Sequence, residues 1–193
     1  MKAFSRSWSI VAAVLLVLAV LPAPALAQSG GIKGGLLYST LKFDETSDVF
    51  DSHTGWTAGI FFGSKKDKSV GIQGELNLLQ KGGYDGVSDV RLYYLQVPVL
   101  ARVSAGGAVR VFAVVGPAFD IKIGEKEDEL ALVQDWEGID VGFMAGGGFE
   151  FGMLIVEARG TWGLRNIAKS VVIYEGEKLT SKTFALQAGF RFK

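Results

Sequence analysis

The chain has 193 residues, with 20 basic and 20 acidic side chains, one His, no Cys, 26 Gly and 4 Pro. Balanced charge offers no basic surface for nucleic acid, and the absence of Cys excludes disulfides and thiolate metal sites. Abundant Gly with sparse Pro suits many strands joined by tight turns better than disorder.

Residues 1–27 read as a signal peptide. Lys2 and Arg6 give a positive start, Ile10 to Leu21 an apolar run, and Ala25-Leu26-Ala27 a small-residue cleavage site. The run is shorter than the ~20 residues of a spanning helix, and Pro22 and Pro24 follow it. Cleavage would start the mature chain at Gln28, exported by the general secretory route, and the absence of Cys after the small residues argues against a lipid anchor. Losing Lys2 and Arg6 leaves 18 basic and 20 acidic residues, a net charge of −2. Residues 28–193 then form one domain. No later apolar run is long enough for a membrane helix, so membrane entry would require a closed barrel, the other structure that satisfies every backbone group in lipid.

Eight strands are predicted, at 31–41, 55–63, 70–79, 91–103, 109–123, 139–151, 154–165 and 182–193. The last is the clearest: Phe184, Leu186, Ala188, Phe190 and Phe192 alternate with Ala185, Gln187, Gly189, Arg191 and Lys193. Such a period of two places apolar and polar side chains on opposite faces. The third, fourth, sixth and seventh strands repeat the rule. The first, second and fifth are less clean, because Leu37, Phe61, Phe112 and Val114 fall on the polar face. His53 is placed in the loop before the second strand, and Lys81 opens the loop after the third.

Connections after strands two, four and six are short, whereas those after strands one, three, five and seven are long and rich in charged and small residues. Outer-membrane barrels show this asymmetry between periplasmic turns and extracellular loops. Tyr38, Trp56, Tyr93, Phe119, Trp162 and Phe184 sort toward the long-loop end. Phe62, Phe149, Phe151, Phe190 and Phe192 sort toward the short-turn end. Two aromatic belts of this kind bound the lipid-facing band of such barrels.

The opposite face carries Lys33, Gln73, Glu75, Gln96, Arg102, Arg110, Asp120, Asp140, Glu150, Glu157, Arg159, Gln187 and Arg191. Charges in a soluble core would need full pairing, whereas across a narrow lumen they can pair with one another. Eight strands leave an interior just wide enough for side chains to fill, so a plugged lumen is expected. Its polar network is assigned to Glu75, Gln96, Arg102, Glu150, Glu157, Arg159 and Arg191. Pro98 and Pro117 interrupt strands that need full pairing, and local bulges are expected there.

Gly31-Ile32-Lys33-Gly34-Gly35-Leu36, Gln73-Gly74-Glu75-Leu76 leading to Gln80-Lys81-Gly82, Tyr94 to Leu100, Gly116-Pro117 and Glu157-Ala158-Arg159 together carry a family likeness. In their order and spacing the chain resembles the porin-like, or PorT-like, outer-membrane β-barrel family of Bacteroidetes and related bacteria, with the small eight-stranded OmpA/OmpX-like architecture. The resemblance spans nearly the whole mature chain and implies location and fold more than mechanism. Gln96 stands where many relatives have Glu, and Lys193 follows Phe192 where such barrels commonly end on an aromatic residue.

No catalytic, cofactor or metal residues are assigned. Asp51, Ser52 and His53 contain the residue types of a hydrolytic triad, but sequence neighbours do not give relay geometry. Glu125, Glu127, Asp128, Glu129, Asp135 and Glu137 lack calcium-loop spacing, and Gly146-Gly147-Gly148 lies in a strand with no helix following, unlike a phosphate loop. The reading is a non-enzymatic, monomeric outer-membrane barrel with loops for surface interaction or envelope integrity. Its expected partners are outer-membrane lipid and lipopolysaccharide, and the barrel-assembly machinery during biogenesis. A narrow pore, a lipid-modifying enzyme dependent on His53 and a soluble lipocalin-like periplasmic binder stand as alternatives.

Overall fold

The computed structural model describes residues 28–43, 51–84, 89–126, 133–136, 139–164, 168–171 and 179–192, with side chains described over 28–40, 53–82, 91–124, 139–164 and 181–192. The proposed signal peptide and parts of the long connections lie outside them. The strands are β1 Ser29–Phe43, β2 Asp51–Gly63, β3 Val70–Tyr84, β4 Asp89–Gly106, β5 Val109–Lys126, β6 Val133–Trp136, β7 Ile139–Phe151, β8 Leu154–Gly163, β9 Ala168–Val171 and β10 Leu179–Phe192.

Eight of them close a barrel in the order β1-β10-β8-β7-β5-β4-β3-β2. Every pair is antiparallel, and the first and last strands are zipped from Gly30↔Phe192 to Phe43↔Leu179. Closure removes every sheet edge, which is what lipid demands of a β-structure. At one end the connections are tight. Gly152 takes φ +57° between β7 and β8, the positive φ that primed two-residue hairpin turns need.

The strands extend further at the long-loop end than the sequence reading expects. β2 begins at Asp51, so His53 lies in a strand rather than a loop, and β3 runs to Tyr84, so Lys81 does too. β8, at the same end of the barrel, is the exception and stops at Gly163, two residues short of its expected end. β6 and β9 form a separate two-stranded sheet from within connections read as loops. Each has four residues and their pairing carries two register irregularities. Neither is long enough to display a period.

The expected bulges at the prolines are absent. Register to β3 passes from Gly74↔Val99 to Asn77↔Gln96 without a shift, and Pro117 pairs with Phe143 inside an unbroken ladder. The β4–β5 irregularity falls at Tyr93/Tyr94 instead. A missing N–H skips a hydrogen bond on one side of a strand but inserts no residue, so the register survives.

Outward positions are apolar and exposed, among them Ile32, Leu36, Tyr38, Trp56, Ile60, Phe143, Phe149, Phe151, Trp162, Phe184, Leu186, Phe190 and Phe192. So continuous an apolar surface is a membrane contact rather than a soluble exterior. Val97 shares the outward parity, yet it is 4% exposed and pairs with Phe119. Inward positions combine polar residues with a small apolar cluster of Phe61, Leu100, Phe112, Val114, Ala118, Met144 and Ile155. Leu37, Phe61, Phe112 and Val114 therefore face the lumen, as their parity requires.

Candidate functional site

The lumen is crossed by three tiers of buried charge. In the middle tier Lys33 of β1 reaches Glu75 of β3 at 2.7 Å and Glu157 of β8 at 3.2 Å. Arg159, also on β8, grips both Glu75 oxygens, with Nη1 2.8 Å from Oε2 and Nη2 3.1 Å from Oε1. Its Nη2 also lies 2.5 Å from Glu157 Oε1. Gln73 and Asn77 donate to Glu75 at 2.7 and 2.9 Å. Two cations thus meet two carboxylates, and the tier is neutral. Such bidentate, charge-assisted pairs are among the strongest hydrogen bonds available, and excellent geometry is what a buried pair needs to offset desolvation.

Toward the short turns, Arg191 donates from Nε to Glu150 Oε1 at 2.9 Å, and its Nη2 forms an ion pair with the same oxygen at 2.8 Å. Arg102 brings Nη2 to the same oxygen at 3.0 Å. Two cations share one carboxylate here. Arg191 Nη1 also donates to Ser29 Oγ at 2.7 Å, tying β10 to the start of β1.

Toward the long loops the balance reverses. Asp120 and Asp140 are direct ladder partners on β5 and β7, and Lys81 Nζ lies 2.5 Å from Asp120 and 3.7 Å from Asp140. Ser181 accepts from Lys81 at 3.3 Å and donates to Asp140 at 3.2 Å. One cation here serves two carboxylates.

Aromatic rings support the cations. Phe61 lies under Lys33 and Arg191, at 5.6 and 4.8 Å from its centroid. Phe112 lies 4.4 Å from Arg102, and Tyr94 5.0 Å from Lys81. These distances suit cation–π attraction, which gives the inward aromatics a part in holding the charges.

Of the seven network residues assigned from sequence, Glu75, Glu157 and Arg159 meet in the middle tier, and Arg102, Glu150 and Arg191 meet below it. Gln96 is buried between ladder partners Asn77 and Asp120, apart from the ion pairs. Lys33, Asp120 and Asp140 complete the tiers although the assignment left them out, and Lys81 was assigned to a loop. Continuing the parity of Gln73, Glu75, Asn77 and Leu79 one step reaches Lys81, and that signal could have found it.

His53 Nε2 lies 3.4 Å from Gln80 Nε2, while the side chains of Asp51 and Ser52 lie outside the described residues. The same holds for the side chains of Glu125, Glu127, Asp128, Glu129, Asp135 and Glu137. Among the described residues, no group of three or more His, Cys, Asp or Glu side chains is placed to hold a metal ion.

A family model described as "Outer membrane protein beta-barrel domain" matches residues 13–192. No curated protein shows significant similarity. Among solved structures, Neisserial surface protein A is similar at 10% identity and TM-score 0.53, covering 84% of this chain and 97% of its own. Ail of Yersinia pestis, in complex with the heparin analogue sucrose octasulfate, is similar at 14% identity and TM-score 0.49, covering 85% of this chain and 98% of its own. The N-terminal β-barrel domain of Pseudomonas aeruginosa OprF stands at 12% identity and TM-score 0.37, covering 84% and 99%. At 10% identity the likeness to Neisserial surface protein A is one of fold alone. Together with the closed eight-stranded barrel, the family match establishes that the chain belongs to the outer membrane protein β-barrel domain family, whose place is the cell outer membrane.

Proposed function

We propose that the protein is a non-enzymatic, monomeric outer-membrane barrel that serves as a rigid mount for its long connections, which face outside and make the contacts that maintain the envelope or engage surfaces. The observation that carries this reading is the Arg159–Glu75 pair, which spans the lumen between strands on opposite walls. A filled interior leaves no aqueous path, so function falls to the ends of the barrel. Outer-membrane lipid and lipopolysaccharide are its surroundings, reached by the general secretory route, cleavage after Ala27 and the barrel-assembly machinery.

Reconstitution in planar bilayers tests the seal. No discrete conductance steps are expected at any salt concentration, and salt-dependent steps would establish the narrow pore instead. A second arm exchanges residues 44–50, 127–132 and 172–178 for Gly-Ser linkers. The barrel should keep its gel shift between unboiled and boiled samples, while cells lose resistance to detergent or adherence to surfaces. Unchanged cells would refute the role of the connections. Lipid chains altered in a His53-dependent way would identify an enzyme.

A further inference from the structure

Positive charge at the short-turn end exceeds what the buried carboxylate there neutralises. Arg102 is 9% exposed, and its Nε has no hydrogen-bond partner. Its Nη2 lies 3.0 Å from Glu150 Oε1, yet the angles do not make a hydrogen bond, so the contact is coulombic. A buried guanidinium with donors unmade is unfavourable. Beside it lies a cavity of about 10 Å³, lined by Arg102, Arg191, Lys65, Lys68, Ser64 and Gln73 among others, with no carboxylate in its wall. That volume is close to the least that admits one water-sized species, about 10–15 Å³, so a halide, which is larger than water, enters only as the lysine-bearing turn moves outward.

We propose that this cavity binds one small monovalent inorganic anion of halide size. All four ionised groups in its wall are cations, which selects negative charge. Arg102 and Arg191 approach from the barrel wall, while Lys65 and Lys68 sit on the exposed turn between β2 and β3 and can give way as the ion enters. A spherical anion accepts hydrogen bonds from any direction, so it suits the off-angle donors of Arg102. Size rejects a phosphate monoester or a lipid headgroup, which fits the wider adjoining recess of about 720 Å³ but not this cavity. The bound ion would neutralise the surplus of the arginine pair and hold the turn against the wall. The site is independent of the surface contacts proposed for the loops.

The test uses the mature protein purified in detergent, with bromide as the probe. At constant ionic strength, exchanging the bulky anion isethionate for bromide should raise resistance to urea unfolding saturably. The folded-to-unfolded ratio rises about elevenfold when bromide stands at ten times its dissociation constant. Crystals grown in bromide should show an anomalous peak between Arg102 and Arg191. Arg102→Gln should abolish the bromide effect. Because that variant can fail to fold, the surface pair Lys65→Gln with Lys68→Gln provides a second reading, in which the bromide effect should weaken while the gel shift stays intact. Equal stability in bromide and isethionate, an anomalous peak elsewhere alone, or a bromide effect unchanged in the double lysine variant would each overturn the site.

Discussion

Arg159 and Glu75 face each other across the full width of the barrel. Their strands, β8 and β3, stand four places apart in either direction around the ring, and two guanidinium nitrogens still reach two carboxylate oxygens at 2.8 and 3.1 Å. The pair therefore ties opposite walls together. Arg159→Met would leave Glu75 and Glu157 with Lys33 as their remaining cation, and breaking such a buried pair costs about 3–5 kcal/mol. Urea unfolding in detergent should show that loss. Adding Glu75→Leu should recover much of it, because Lys33 and Glu157 then remain as a balanced pair at 3.2 Å. A double-variant loss equal to the sum of the Arg159→Met and Glu75→Leu losses measured singly would mean that the charges are not coupled.

In the long-loop tier the size of the effect depends on which partner is removed. Lys81→Met leaves Asp120 and Asp140 opposed as ladder partners, a direct like-charge juxtaposition that destabilises a sheet. A loss of about 3–5 kcal/mol is expected for the orphaned charges. Asp140→Asn keeps the Lys81–Asp120 pair and removes the repulsion, so it should be close to neutral. Unfolding midpoints measured side by side decide the order, and an equal loss in both would refute the assignment of Lys81 as the shared cation.

The alternation that identifies the barrel is a property of neighbouring residues, and so it is legible in sequence. Parity alone places Glu75, Arg102, Glu150, Glu157, Arg159 and Arg191 inward. Which partner each finds depends on closure, which brings β8 to face β3 and cannot be read locally. Phe61 and Phe112 blur the pattern because they carry luminal cations on their rings, a use that hydropathy registers as an error. Lys81 and His53 escape because Gly82-Gly83 and Asp51-Ser52 have turn chemistry, although the strands run on through them. β6 and β9 escape because each is short and its partner lies in a distant connection.

Glycines at the seam between the first and last strands give a steric prediction. A Cβ on Gly35 would stand 1.9 Å from Leu186 O and 2.7 Å from Gln187 Cα, both backbone atoms that cannot step aside. Gly35→Ala should therefore impair closure between β1 and β10, read as loss of the unboiled gel shift. Gly107→Ala meets nothing within 4 Å and should behave as the parent. A Gly35→Ala protein with full shift and unchanged unfolding would show that the seam is looser than the register implies.

The outward face allows a depth-resolved test of the membrane itself. On β10, Phe184 stands toward the long-loop belt and Phe190 toward the short-turn belt, with Leu186 and Ala188 between them. Leu186 is 51% exposed and lies beside outward Leu36 and Ala158. An Arg at the middle of a lipid-facing band costs about 2–4 kcal/mol, and near an interface about 0–1 kcal/mol. Leu186→Arg should thus lose a few kcal/mol in refolding from urea into lipid vesicles. Leu154→Arg, at the mouth of the β7–β8 hairpin, should lose much less. In detergent-free buffer a water-facing Leu would accept Arg freely. A neutral Leu186→Arg would therefore place this face in water and remove the basis for a lipid-facing band.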